Sequence, residues 1–143
     1  MTKTEKIAVL DKVMTTGKRD NGEVFYHFTD TAPRELKDLY LEHYEVRDID
    51  YETFGQAIDL VRTIYEDKPE AIDDEATEEI YERASDSAGV YNDERLGYLN
   101  IWNQDDIAEI VRDMGVDIAT ACAVWYDRQV EQSAIIIKDW INA

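Results

Sequence analysis

Four glutamates, Glu75, Glu78, Glu79 and Glu82, recur at i, i+3, i+4 and i+7, the spacing that brings side chains to one side of an α-helix. Carboxylates gathered this way can do two kinds of work. They can hold a divalent cation such as Mg²⁺ against phosphate oxygens, or they can present a row of fixed negative charge to a basic partner. Like charges at this spacing destabilise an isolated helix by about 0.2–0.5 kcal/mol per pair. Only Arg83 lies near enough in sequence to offset them. A solvated acidic face is the plain alternative, and a salt-adapted surface is another, although salt adaptation gives no reason to cluster the charge.

The neighbourhood strengthens the charged-surface reading. Residues 66–86 hold ten acids and two bases, net −8. If mostly helical they span about 30 Å at 1.5 Å per residue, or one net charge per roughly 4 Å. One DNA strand carries a charge every 3.4 Å or so. The whole chain follows the same sign. It has 33 acids and 15 bases in 143 residues, a formal charge of −18, where solubility needs a magnitude of only about 2–8. The charge is uneven, net −6 over residues 1–71 and net −12 over residues 72–143. Such a surface repels nucleic acid and anionic membranes and attracts basic, nucleic-acid-binding proteins.

Two resemblances follow from these residues. The double E-x-x-E of Glu75, Glu78, Glu79 and Glu82, with Asp106-x-x-Glu109 further on, resembles the paired acidic motifs of all-α nucleoside triphosphate pyrophosphohydrolases. That resemblance implies a Mg²⁺-dependent enzyme, but no matching set of substrate-binding Lys or Arg accompanies the acids. The stretch Tyr51-Glu52-Thr53-Phe54-Gly55, through Leu60 to Lys68-Pro69-Glu70, resembles the central segment of ArdA-type antirestriction proteins. It implies an acidic DNA mimic, of the kind phages and mobile elements use against restriction enzymes. The helical N-terminal pattern here differs from that family's strand-rich start. Acidic phage anti-defence proteins, some anti-CRISPRs among them, are similar in size and charge.

Other chemistry finds little support. Asp48-Ile49-Asp50-Tyr51-Glu52 resembles the first half of an EF-hand loop, with Asp59 at the twelfth position. However, Thr53 stands where the sharp turn needs Gly, and Gly55 stands where an apolar anchor belongs. His27, His43 and Cys122 are too far apart in sequence for the usual zinc spacing. His43 with Glu45 and Asp48 forms only a weak metal constellation. No nucleophile motif or Gly-rich phosphate loop is present. The single cysteine excludes an intrachain disulfide and fits a reducing compartment. No apolar run approaches a membrane span, and the N-terminal residues lack the apolar core of a secretion signal.

The elements that must position the acids can be read from apolar spacing. Helices are expected over 4–16, 32–45, 51–66, 70–84, 103–114 and 118–141. The first carries Ile7, Leu10, Val13 and Met14 and ends at Gly17 as its C′ residue. Asn21-Gly22 predicts a type I′ turn between a first arm at 16–20 and Glu23-Val24-Phe25-Tyr26-His27-Phe28, rich in strand formers. Pro33 opens the second helix, and Asp50, Asn103 and Asp117 cap later ones. Lys68-Pro69 breaks the third. The acidic helix has a thin apolar face of Ile72, Ala76, Ile80 and Ala84. Residues 85–101 read as a loop. The last helix is apolar nearly all round in its first half, which makes it the expected core.

The expected fold is mainly α: a compact domain of about six helices with a small β-hairpin near residues 18–28, forming one acidic helical domain over 1–143. The expected function is binding rather than catalysis. The acidic face would mimic nucleic acid and inhibit a DNA-binding host defence protein of restriction or CRISPR type. Its contact residues would be Glu66, Asp67, Glu70, Asp73, Asp74, Glu75, Glu78, Glu79, Tyr81 and Glu82, with Tyr91 as a further anchor. The partner is a basic, nucleic-acid-binding protein, with no direct nucleic acid, no membrane and no cofactor. A homodimer is compatible with the sequence, and the expected location is the cytoplasm. The alternatives are the pyrophosphohydrolase and a small acidic structural or adaptor protein.

Overall fold

The long C-terminal helix organises the computed structural model, which describes residues 1–22, 24–47, 51–84 and 104–143. Six α-helices stand among the described residues: α1 (Lys3–Val9), α2 (Arg34–Arg47), α3 (Tyr51–Asp67), α4 (Asp73–Ala84), α5 (Gln104–Met114) and α6 (Ile118–Asn142). A two-stranded antiparallel sheet, β1 (Met14–Lys18) and β2 (Val24–Phe28), completes the mainly α fold. No helix among the described residues is long and apolar enough to cross a membrane.

α6 begins where Asp117 accepts a hydrogen bond from the Thr120 amide at 2.7 Å, a side-chain N-cap. Hydrogen bonds from Thr120, its side-chain hydroxyl first and its amide second, hold the Asp117 carboxyl below its ordinary pKa. Before it, Gly115 closes α5 at φ +66°, a conformation that favours glycine. α3, α4 and α5 all pack on α6. The buried apolar residues of α6, Ala121, Cys122, Trp125, Tyr126, Val130, Ala134, Ile137 and Ile141, recur at helical spacing. The expectation of a central helix holds from Ala121 onward. Its first turn departs from it: Ile118 is 69% exposed, and Ala119 and Thr120 are exposed with it.

α3 buries the expected stripe of Phe54, Ala57, Ile58, Val61, Ile64 and Tyr65. The N-terminal segment is the main correction. The helix expected over 4–16 ends at Val9, passes through a 3₁₀ turn at Leu10–Lys12, and becomes strand β1. Leu10 and Val13 are buried as expected, so the apolar spacing marks the core correctly and the geometry wrongly. Gly17 is not a helix cap. It pairs with Phe25 across the sheet, and the Phe25 ring lies where a Cβ would stand, 2.6 Å from its nearest atom. The first arm is 14–18 rather than 16–20. The Gly22 amide donates to the Arg19 carbonyl at 2.9 Å, so the turn runs from Arg19 to Gly22 and is longer than the two-residue turn expected from Asn21-Gly22.

Two strands alone are marginal, and this pair docks on α3. The Tyr26 ring covers Gly55, while Phe28 joins Tyr40, Tyr51 and Phe54 in an aromatic cluster, with Tyr40 and Tyr51 stacked at 4.7 Å. Asp48, Asp50, Asn103 and the loop expected over 85–101, Tyr91 included, lie outside the described residues.

Candidate functional site

The acidic surface is set up by the turn between α3 and α4. The Lys68 amide still donates to the Ile64 carbonyl, and the Ala71 amide donates to the Lys68 carbonyl at 3.0 Å. Pro69 stops the helix between them. Ala71 is buried, and its carbonyl accepts from the Lys3 ammonium at 2.6 Å. α4 then starts at Asp73, three residues later than expected. Ile72 therefore precedes the helix and is exposed rather than part of its apolar face. Ala76, Ile80 and Ala84 make the buried face.

A helix turns 100° per residue, so burying Ala76 and Ile80 sends Asp74, Glu75, Glu78, Tyr81 and Glu82 outward. All five are exposed. Glu70 is exposed in the preceding turn. Among the described residues, Glu70, Asp74, Glu75 and Glu78 make no ion pair within 4.0 Å.

The other predicted acids are engaged. Glu79 departs from the expected solvent-facing stripe: its side chain is only 16% exposed. The Lys68 ammonium and the Arg83 Nε, the latter at 3.0 Å, both donate to it. These hydrogen bonds, Lys68 first, hold its carboxyl below the usual range. Glu79 borders the buried face, where the turn brings Lys68 over it. So Arg83 is not the sole offsetting base. Arg83 also reaches Asp67 at 2.9 Å, and Arg62 pairs with Glu66 at 3.3 Å. Asp73 accepts from Lys138 at 2.9 Å. Burial opposes the charge on Lys138, but hydrogen bonds to Asp139 and Asp73 outweigh it and raise its pKa.

Lys138 and Lys6 are the bases that sequence reasoning missed. Both are buried. Lys6 donates to the Trp140 carbonyl at 2.7 Å and lies 5.2 Å from the Trp140 ring centre. Their signal was a lysine at a core position of a helical apolar pattern, Lys138 falling between Ala134 and Ile141.

The second acidic motif lies elsewhere. Asp106 and Glu109, with Asp113, line a cavity of ≈ 230 Å³ between α5 and α6. Ile110, Met114, Trp125, Arg128, Gln129 and Gln132 line it too, and none of Glu75, Glu78, Glu79 or Glu82 is among its described lining residues. Among the described residues, no three His, Cys, Asp or Glu side chains are grouped so as to hold a metal ion. Asp59, the twelfth position of the calcium-like pattern, is instead on α3, 3.5 Å from Arg62.

No protein-family model matches the chain, and no curated protein or solved structure matches it either.

Proposed function

We propose that this chain is an acidic binding protein whose α4 face enters a positively charged groove on a DNA-binding host defence protein, of restriction or CRISPR type, and occupies the place of DNA. The observation that carries the reading is the outward row of Glu70, Asp74, Glu75, Glu78 and Glu82, set beside bases that are turned inward or already paired. α4 holds six acids and one base, net −5 over about 18 Å of axis, or one charge per roughly 3.6 Å. Asp73 and Glu79 are engaged by Lys138 and Lys68, and Asp74, Glu75, Glu78 and Glu82 face outward over about 12 Å of axis, one every 4 Å or so on average, close to the roughly 3.4 Å of one DNA strand. The wider span of 66–86 is not one rod, since it bends at the turn after Asp67, so α4 and that turn make the mimicking surface. Tyr81, 51% exposed among these acids, supplies an aromatic anchor of the kind favoured at binding hot spots.

The test is competition. The protein should displace a DNA duplex from a restriction or CRISPR nuclease that it inhibits. Replacing Glu70, Asp74, Glu75 and Glu78 by Gln or Asn should slow association, most visibly at low salt. A target that binds DNA and this protein together, neither altering the other's affinity, rules mimicry out. Mg²⁺-dependent cleavage of nucleoside triphosphates by the purified chain would assign it to the enzyme class instead.

A further inference from the structure

The hairpin ends in an open edge. β1 pairs with β2 from Met14 opposite Phe28 to Lys18 opposite Val24, and the Thr29 amide donates to the Val13 carbonyl at 2.9 Å. Bonded and non-bonded pairs alternate along an antiparallel ladder. With Val13 and Thr29 a bonded pair, Thr15 and Gly17 bond inward to β2, and the N–H and C=O groups of Met14, Thr16 and Lys18 point away from it. Among the described residues, no backbone hydrogen bond from outside the hairpin reaches those outward groups. Thr15, Thr16 and Lys18 are exposed. The β2 side differs, because Tyr26 and Phe28 are half-buried against Gly55 and Phe54 of α3. Natural sheets blunt a bare edge with proline, a bulge or charged side chains. β1 keeps an unbroken register and carries a charge only at Lys18, its last residue.

We propose that β1 pairs with β1 of a second copy of this chain, antiparallel about a two-fold axis at Thr16, so that the two hairpins form one four-stranded sheet. Thr16 of one protomer then faces Thr16 of its partner, and Met14 faces Lys18. These are the residues whose backbone groups point outward, so each pair exchanges both of its N–H···O bonds, and facing threonines are a favourable cross-strand pair. Moving the axis by one residue drops an outward residue off the partner strand. Toward Thr15 the move also sets Lys18 against Lys12. Centred on Thr16, Lys12 lies instead at the end where the partner carries Asp20. Net charge selects the same place. Two chains of −18 repel one another, so copies meet where the surface is least acidic. Residues 12–20 hold Lys12, Lys18 and Arg19 against Asp20, net +2. A strand of five residues a side is far smaller than the roughly 20–30 of a standard interface, so the dimer is reversible and depends on concentration. It carries two α4 faces, and it stands whether or not those faces meet a DNA-binding protein.

Sedimentation velocity of the full chain over a dilution series reads the oligomeric state. The expected result is a monomer–dimer equilibrium that added NaCl shifts toward dimer, because salt screens the repulsion between the acidic bodies. Thr16→Glu and Thr16→Lys each set like charges opposite one another across the two-fold, so each variant alone should stay monomeric. An equal mixture of the two should associate again, since opposite charges then face each other. A variant that had merely misfolded would not be rescued by mixing. In the ¹⁵N-labelled parent, hydrogen exchange at the Met14, Thr16 and Lys18 amides should slow as concentration rises. The Thr15 and Gly17 amides, already bonded to β2, should change less. A chain that stays monomeric up to millimolar concentration at every salt overturns the proposal. So does a dimer that both Thr16 variants leave intact, or a mixture that associates no better than its components.

Discussion

At the scale of single residues, two neighbouring glutamates divide the chain's carboxylates into two kinds. Glu78 faces water and repels its neighbours, whereas Glu79 is clasped by Lys68 and Arg83. Glu79→Gln should therefore lower the melting temperature, and Glu78→Gln should leave it unchanged or slightly higher, since each relieved like-charge pair is worth about 0.2–0.5 kcal/mol. Thermal melts of the two variants side by side check this. The pH dependence has a definite sign. Because the folded-state pKa of Glu79 is depressed, its contribution is present above the ordinary carboxylate range and is lost as pH falls through the depressed value. The gap between parent and Glu79→Gln should close in acid.

Among the elements, α3 and the hairpin are joined at a glycine. A Cβ on Gly55 would stand 2.4 Å from the Tyr26 ring, a contact with no room to relax unless the hairpin lifts. Gly55→Ala should destabilise the protein even though alanine improves helix propensity by about 1 kcal/mol. In the Tyr26→Ala background the same change should turn neutral or stabilising. A double-mutant cycle by denaturant unfolding measures this coupling, and additive effects would show that the hairpin does not rest on Gly55. On α6, Trp125→Ala removes a buried ring from the face that meets α5, and should cost about 3–5 kcal/mol in the same assay.

Over the whole molecule, the distribution of charge matters more than its sum. Lys6 and Lys138 are buried, Lys3 reaches the Ala71 carbonyl, and Lys68 and Arg83 are committed to Glu79. The basic charge is thus drawn in or paired around α4, while Lys12, Lys18, Arg34, Arg112 and Arg128 stay exposed elsewhere. Self-repulsion of such a surface works against the compact state. Added NaCl should raise the melting temperature, since exposed charges are screened beyond about 8–10 Å at physiological ionic strength. The same salt should weaken a complex with a basic target. Calorimetric melts and binding isotherms across one salt series should move in opposite directions. A melting temperature that falls with salt would mean that the paired acids outweigh the free ones.

The sequence by itself determined the helical class, the core stripe of α3 from Phe54 to Tyr65, the break at Lys68-Pro69, the Asp117 cap and the acidity of α4. Each of these is set by local spacing, by the missing amide of proline or by one side chain bonding a nearby backbone group. The outward facing of Glu75, Glu78 and Glu82 was legible too, because it follows from Ala76 and Ile80 seeking the core. Only the tertiary structure decided the rest. Leu10, Val13 and Met14 keep helix spacing, and the pairing of Met14 with Phe28 is what turns the chain from Met14 onward into a strand. The capture of Glu79 by Lys68, the 65-residue separation between Lys138 and Asp73, and the meeting of Asp106 and Glu109 with Trp125 and Gln129 all join groups that no local period relates. Burial decides such pairs, because a desolvated charge or polar atom takes whichever partner the packing brings within reach.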